Sequence, residues 1–191
     1  MKKAILITWC VCGLLFGFAS LSLSTPTYYS DRVSFLDSVN QYITDDYASY
    51  SQGVYTNEEM SSVLGETRYQ SISFDNQNQV GDVYAYGDGA NYCAGCNGNF
   101  QLFFDDTSLS RNNGVYGVGL DIILHTSQRF SLGDGPGGNA PGVVLVEFGD
   151  GSTAEISVPD DIGYYSPEVY FLGITAVQSI SSLTIGTEPL S

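Results

Sequence analysis

The sequence contains very few cationic side chains. It has six Lys and Arg against 21 Asp and Glu, which is a formal net charge of −15. Both lysines, Lys2 and Lys3, lie at the start of the chain, so residues 25–191 hold four arginines against all 21 acids, a net charge of −17. A surface this acidic repels nucleic acid and anionic membranes and attracts cations. We therefore expect no nucleic-acid partner.

Histidine, cysteine and tryptophan are also scarce, and their scarcity argues against several kinds of site. His125 is the single histidine and no G-x-S-x-G pattern accompanies it, so a Ser-His-Asp triad has no support. Together with Cys93 and Cys96 it supplies at most three soft ligands, one fewer than a structural zinc site takes. The only Trp, Trp9, is near the N-terminus. We assign no catalytic residue and predict that the protein is not an enzyme and requires no cofactor.

Residues 1–24 have the layout of a secretory signal peptide. Two lysines precede the apolar run "AILITWCVCGLLFGFA", and small residues follow it. This layout predicts cleavage after Ala19 or Ser24. A retained anchor is the alternative, but the run is short for a membrane span. We expect a secreted, extracellular protein, with the periplasm as the alternative location, and no stable membrane span after cleavage.

Residues 25–191 are long enough for one globular domain. In its first part, residues 25–67, we expect a helix and a loop packed on the domain. "DRVSFLDSVNQYI" predicts the helix, capped by Ser30 or Asp31. Its apolar stripe consists of Val33, Leu36, Val39, Tyr42 and Ile43. "TNEEM" could start a second short helix, with Thr56 as the cap and Glu59 three residues later.

From residue 68 the hydrophobic period changes to two, which is typical of strands. In "YQSISFD" Ile72 and Phe74 share a face. The other aligned sets are Phe100, Leu102 and Phe104 in "FQLFF", and Val118, Leu120, Ile122 and Leu124 in "GVYGVGLDIILHT". "GVVLVEF" and "TAEISV" flank a Gly-Asp-Gly-Ser turn and predict a hairpin. "EVYFLGIT" and "SISSLTIG" close the chain. We predict an all-β fold in which residues 68–191 form a single antiparallel β-sandwich or jelly-roll-like domain.

Several of these stretches resemble, in order, the secreted bacterial β-sandwich proteins that carry a PEP-CTERM sorting tail. The similar stretches are "DRVSFLDSV", "ISFDN", "GVYGVGLDI", "VEFGDGSTAEISV" and "VYFLGITAVQSISSLTIG". The resemblance implies an extracellular surface or matrix protein of a Gram-negative bacterium. In that family a Pro-Glu-Pro motif, a membrane-spanning helix and a basic tail follow the last strand. Because "IGTEPLS" shows no span and no Arg cluster, we expect a released protein.

Calcium is the candidate metal. It takes six to eight oxygen ligands, and flexible Gly-rich loops expose carboxylates, Asn side chains and backbone carbonyls. The predicted ligands are Asp88, Asn91, Asn97 and Asn99 in "YGDGANYCAGCNGN", and Asp134 in "LGDGPGGNAPG". Neither loop has EF-hand spacing. The alternative is that Gly-Asp-Gly only makes turns, as we expect at Asp150.

The same region offers candidate sugar contacts and a cysteine pair. Tyr84, Tyr86 and Tyr92 are candidate stacking residues for a glycan, although tyrosines of this kind also pack at sheet edges with wet hydroxyls. Cys93 and Cys96 form "CAGC", but no helix pattern follows them as a redox motif requires. Outside the cytoplasm an isolated pair at this spacing is predicted to form a local disulfide.

These observations favour a non-catalytic, secreted surface or matrix protein of the adhesion or biofilm-matrix type. It would act by binding polysaccharide or other surface components, with calcium as an optional ion. The first alternative is a glycan-binding domain of the lectin or carbohydrate-binding-module type. The second is a secreted hydrolase whose carboxylate pair is not recognised.

Overall fold

The structure is a computed structural model, and it describes residues 25–45, 47, 51–63, 66–72, 77–81, 91–93, 99–124, 142–158 and 168–186. Within these residues there are ten strands and two short helices. In chain order they are β1 (Thr27–Tyr29), α1 (Arg32–Ser38), β2 (Gly53–Tyr55), α2 (Asn57–Val63), β3 (Arg68–Ser71), β4 (Asn78–Gly81), β5 (Asn91–Cys93), β6 (Phe100–Phe103), β7 (Val115–Leu124), β8 (Gly142–Phe148), β9 (Thr153–Val158) and β10 (Glu168–Gly186). The strand pairings are antiparallel. The prediction of an all-β fold with a short N-terminal helical segment is confirmed.

β10 is the central strand of a seven-stranded sheet. Its first half lies between β1 and β7, because Thr175 pairs with Thr27 on one edge and with Gly117 on the other. Its second half lies in the same way between β6 and β8. β3 continues the sheet beyond β6 and β9 continues it beyond β8, so the strand order is β3-β6-β10-β8-β9.

A bulge in β10 keeps apolar side chains of both halves on one face. Side chains alternate along a strand, so an unbroken strand would turn Leu183 and Ile185 away from Ile174 and Ile180. The pairing register with β8 shifts between Ile180 and Ser182, and one extra residue reverses the alternation. All four aliphatic side chains are therefore buried in one core. The two closing strands predicted from the sequence are thus one continuous strand.

The smaller sheet contains β2, β4 and β5 and has three strands. Its Tyr92 contacts the large sheet through two rings: the centroid of Tyr69 is 4.8 Å away and that of Phe100 is 5.0 Å away. The Tyr92 hydroxyl donates to Asn78 Oδ1 at 2.7 Å, which satisfies a fully buried amide. These contacts join the two sheets, while the sandwich or jelly-roll form of the whole domain stays a prediction.

α1 is shorter than predicted, and a different residue anchors it. Asp31 caps it by accepting a hydrogen bond from the Ser34 backbone at 2.8 Å, as one of the two predicted caps. The helix ends at Ser38, so Tyr42 and Ile43 of the predicted stripe lie beyond it and are exposed. Val33 of the same stripe is also exposed, and the buried residue of α1 is Phe35. A helix of two turns can bury only a narrow stripe of side chains against a sheet. In α1 the contacts with the sheet determine that this stripe is centred on Phe35.

The second helix was predicted with its cap. Thr56 Oγ1 accepts from the Glu59 backbone at 3.2 Å, and Glu59 Oε2 accepts from the Thr56 backbone at 2.7 Å. This reciprocal pair is a capping box. Within the described part of the chain, neither α1 nor α2 is long and apolar enough to cross a membrane.

In "YQSISFD" the strand β3 ends at Ser71, before the predicted pair of Ile72 and Phe74. In β3 the buried residues are Tyr69 and Ser71, and Ile72 is exposed. A buried Ser is tolerated here because Asn57 satisfies its backbone: Ser71 N donates to Asn57 Oδ1 at 2.9 Å, and Asn57 Nδ2 donates to the Ser71 carbonyl at 3.0 Å. Phe74 lies outside the described residues.

The β8–β9 hairpin is confirmed at the predicted Gly-Asp-Gly-Ser turn. Gly151 has a positive φ of 82°, which glycine adopts readily, and its N–H donates to the Phe148 carbonyl at 2.8 Å. Asp150 Oδ1 accepts from Ser152 Oγ at 2.6 Å and from Ser152 N at 2.9 Å. These bonds, with one from Gln178, hold the pKa of Asp150 below its usual value. At Asp150 the triplet therefore makes a turn, as expected.

Candidate functional site

The large sheet has a core face and an opposite face, which we call the outer face. Over the first half of β10 the outer face is covered by α1. Phe35 lies on a cross-strand pair of glycines, Gly119 and Gly173. A Cβ added at Gly173 would lie 2.7 Å from Phe35 Cδ2, and one at Gly119 would lie 2.8 Å from Phe35 Cε1. The ring can reach the sheet only because neither residue has a side chain.

Arg32 fastens α1 to the same half of the sheet. Its guanidinium forms an ion pair with Asp121 of β7 and lies 5.0 Å from the ring centroid of Phe171 of β10. The Phe171 ring in turn packs against Phe35, with centroids 5.7 Å apart. A cation that lies over an aromatic face and beside a carboxylate makes both a cation–π interaction and an ion pair. One of the few arginines therefore serves to attach the helix.

Over the second half of β10 the outer face carries three rows of side chains across the strands. The first row is Arg68, Phe103, Ser182, Glu147 and Thr153. The second row is Gln70, Gln101, Thr184, Leu145 and Glu155. The third row is Asn99, Gly186, Val143 and Ser157. On the flanking strands these residues alternate with less exposed neighbours, so they lie on the face opposite the core. Those of β10, Ser182, Thr184 and Gly186, lie in the middle of the rows and are themselves buried.

Hydrogen bonds and an ion pair order the β3–β6 side of this face. Gln101 Nε2 donates to Ser182 Oγ at 3.3 Å, and Ser182 Oγ donates to Glu147 Oε2 at 3.1 Å. Arg68 contacts both carboxylate oxygens of Asp105, at 3.2 and 3.3 Å, and lies 4.0 Å from the ring centroid of Phe103. The charge of Arg68 is therefore matched within the protein.

The β8–β9 side of the face is the most open to solvent. We call it the hairpin patch, and it consists of Val143, Leu145 and Glu147 of β8 with Thr153, Glu155 and Ser157 of β9. Glu147 and all three β9 residues are exposed, while Val143 and Leu145 are half-buried. The patch thus combines a small aliphatic ledge with hydroxyl and carboxylate groups around it.

Glu147 and Glu155 occupy diagonal positions on this patch. Glu147 pairs with Thr153 and Leu145 pairs with Glu155, so the two glutamates are two residues apart in register on adjacent strands. The Cα atoms of diagonal neighbours of this kind are about 7–8 Å apart. Both carboxylates project from the same face and can contact one extended ligand.

The predicted calcium ligands are placed only in part. Asp88, Asn97 and Asp134 lie outside the described residues. Asn91 lies in β5, and the side chain of Asn99 lies against Gly186 of β10, where an added Cβ would be 3.0 Å from Asn99 Cγ. No group of three or more His, Cys, Asp or Glu that could hold a metal occurs among the residues that the structure describes. The calcium site remains a prediction.

The predicted stacking tyrosines and the cysteine pair are also described only in part. Tyr92 is half-buried, and its ring is engaged by the protein as described above. Tyr84 and Tyr86 lie outside the described residues, so sugar stacking on them stays a prediction. The backbone of Cys93 lies in β5 and pairs with Gln79, whereas Cys96 lies in a stretch that the structure does not describe. The disulfide stays a prediction as well.

A buried tyrosine lies below the outer face and is structural. Tyr69 donates to Asp45 Oδ2 at 3.0 Å, and its hydroxyl is 2.8 Å from that of Tyr47. Burial, followed by the neighbouring Tyr47 and Asp45, raises the pKa of Tyr69 above its usual value. A phenol that stays protonated keeps donating to the carboxylate, which ties Asp45 to β3.

The outer face was missed in the sequence. Its signal is the polar half of each alternating strand, such as Ser182 and Thr184 in "SISSLTIG" or Glu147 in "GVVLVEF". Each strand read alone shows only a solvent-facing side, and pairing is needed to bring these side chains into rows.

Comparisons with protein-family models, with curated proteins and with solved structures found no match. The outer face and the predicted leader are therefore the observations from which a function can be proposed.

Proposed function

We propose that this chain is a secreted, non-catalytic protein of the cell surface or extracellular matrix, and that it acts by binding through the hairpin patch of its outer face. The observation that carries the proposal is the division of the outer face. α1 packs on one half through Phe35 and Arg32, and on the other half the hairpin patch exposes polar side chains to solvent, next to the buried Ser182 and Thr184 of β10. The predicted leader supports export.

We also propose that the chain is a surface protein of the PEP-CTERM type. Two of the stretches that carry the resemblance, "VEFGDGSTAEISV" and "VYFLGITAVQSISSLTIG", contribute β8, β9 and β10. They supply much of the outer face. Extracellular location in a Gram-negative bacterium is part of the same proposal.

Glycan binding is the second candidate, and the chemistry of the hairpin patch favours it. A pyranose has one apolar C–H face and a rim of hydroxyls. Leu145 and Val143 offer an aliphatic ledge for the first, and Glu147, Glu155 and Thr153 offer acceptors and a donor for the second. A single extended saccharide can contact the two strands together.

A secreted hydrolase is the third candidate. Inverting glycosidases hold two carboxyl groups about 6.5–9.5 Å apart across the sugar. Glu147 and Glu155 are a diagonal pair on adjacent strands, so their side chains can place the two carboxyl groups at such a distance. Both side chains are exposed on the sheet. Release of reducing ends from a bound polysaccharide, lost in both E147Q and E155Q, is the result that would replace the binding protein by an enzyme.

The test of the proposed function is retention of the secreted protein. The full chain, expressed with its leader in a Gram-negative host, should be exported and recovered with the cell surface or matrix after washing. Mass spectrometry of the exported form should lack Lys2 and Trp9. A variant with Leu145→Arg should be exported in equal amount and washed away. Equal retention of L145R would exclude the hairpin patch, and an uncleaved cytoplasmic protein would exclude secretion.

A further inference from the structure

We propose that the hairpin patch binds a polysaccharide that carries protonated amino groups, the chemical class of a de-N-acetylated amino-sugar polymer. This inference rests on the proposed function, since it names the ligand of the same face. The observation behind it is charge complementarity between an open, acidic patch and a cationic chain.

The chain has few positive charges that could hold an anionic ligand. After the predicted leader the chain holds four arginines. Arg32 is paired with Asp121, and Arg68, the cation of the polar rows, is paired with Asp105. Neither is available to hold a sulfate, phosphate or uronate group of an anionic polymer. Anionic polysaccharides would also approach a molecule of net charge −17 against its field.

The hairpin patch carries negative charge on its solvent side. Glu147 and Glu155 are the carboxylates of the patch, and both are exposed on the same face of adjacent strands. Ser182 donates to one oxygen of Glu147, which orients that carboxylate and leaves its other oxygen for a ligand. An ammonium group supplies three donors and no acceptor, so it matches two carboxylates better than a hydroxyl or acetamide does.

The remaining residues of the hairpin patch are uncharged. Leu145 is the cross-strand partner of Glu155 and lies two residues from Glu147 on β8, so it adjoins both glutamates, and Val143 lies in the next row. Thr153 and Ser157 place hydroxyls at the two ends of the patch. A simple polycation needs only the charges, whereas a sugar ring also uses the aliphatic ledge and the hydroxyls. The surroundings of the glutamates therefore favour an amino sugar over a basic peptide.

The experiment measures binding of the secreted full chain to immobilised oligosaccharides of equal length. The probes are fully deacetylated chito-oligosaccharides, fully N-acetylated chito-oligosaccharides and alginate oligosaccharides, with poly-L-lysine as the non-sugar polycation. We expect binding to the deacetylated probe, weakening as ionic strength rises, because the Debye length falls from about 30 Å at 0.01 M to about 8 Å at 0.15 M. Tighter binding to either of the other two saccharides would overturn the inference.

Matched charge variants test the patch. E147Q/E155Q keeps the shape and an acceptor for Ser182 and removes two negative charges. D37N/D106N removes two exposed carboxylates elsewhere and changes the net charge equally. The first variant should bind the deacetylated probe about tenfold more weakly, as expected for two exposed ion pairs. The control variant should change affinity by less than about twofold. Equal losses in the two variants would mean general charge attraction and would overturn the site.

A single substitution in the ledge gives an independent test. Leu145→Arg places a cation next to both glutamates on the solvent side of β8, so folding should persist and the deacetylated probe should no longer bind. Unchanged binding by a folded L145R would overturn the inference, and so would poly-L-lysine binding as tight as that of the sugar. If the protein instead prefers a neutral or anionic glycan and is still retained at the surface, only the ligand class fails. If it binds no probe and is not retained, the proposed function fails too.

Discussion

The glycine pair under α1 permits a sharp test of how the helix is attached. Gly173→Ala would place a Cβ 2.7 Å from Phe35 Cδ2 and 2.9 Å from Phe35 Cγ, closer than real side-chain atoms approach. The ring must leave its position, and overpacking of this kind costs about 1–3 kcal/mol of unfolding free energy. Phe35→Ala removes the same ring and should cost about 3 kcal/mol, near the lower end for Phe truncation, because the ring lies on the outer face.

The two changes should be strongly coupled. Once Phe35 is Ala the clash at Gly173 disappears, and the Phe171 ring at 3.0 Å can turn into the vacated space. Alanine is also preferred to glycine inside a strand by roughly 0.5–1 kcal/mol. G173A should therefore be neutral or slightly stabilising in the F35A background, which gives a coupling energy of about 1–3 kcal/mol in a double-mutant cycle.

The assay is equilibrium unfolding in urea. The m value, which is the slope of the unfolding free energy against urea concentration, should be the same in all variants. Gly53→Ala is the matched control, because an added Cβ there would meet the Tyr55 side chain at an ordinary 3.5 Å or more. That variant should not lose stability through a clash. If G173A costs as much in the F35A background as in the wild type, the attachment of α1 through the glycine pair is wrong.

Four further results are expected. Because hydrogen bonds from Ser152 lower the folded-state pKa of Asp150, the turn contributes stability above the usual Asp value of 3.8 and loses it as pH falls. The melting temperature of the wild type should then fall more than that of D150N between about pH 6 and about pH 3, and equal falls would contradict this. Thr56→Ala removes the capping hydroxyl of α2 and should cost about 1 kcal/mol in urea unfolding. Calcium at 100 times its dissociation constant should stabilise the protein by about 2.7 kcal/mol in thermal melts if the predicted loop binds it, and magnesium should not match it. Alkylation of the secreted protein without reductant should label neither Cys93 nor Cys96, and two labelled thiols would exclude the disulfide.

Local patterns predicted the parts of the fold that neighbouring residues decide. The capping box of α2 and the hairpin turn at Asp150 depend on residues within three or four positions of each other, so they could be identified directly. β1 and β2 were missed for the opposite reason. Each has three residues, too few to show a period, and each exists because a distant strand pairs with it.

The candidate site was less predictable than the strands that build it. The sequence pointed to a Gly- and Asn-rich loop around Cys93 and Cys96, because polar loops carry many binding sites. Most of that loop lies outside the described residues, so the loop site stays a prediction. The described residues add a polar surface on the sheet, where Glu147 and Glu155 come together only through the pairing of β8 with β9. No residue of that surface is unusual when read along its own strand.

By itself, the sequence determined an acidic composition, a leader-like start and a period of two over most of the chain, and with them an antiparallel, all-β protein. Only the tertiary structure decided which side of each strand faces inward. A period of two shows that alternate residues share a face, but it does not say which face is buried, so Ile72 is exposed while Ser71 is buried. Tertiary pairing also decided that β10 is one strand with a bulge, and that Phe35 fits the space left by two glycines far from it in sequence.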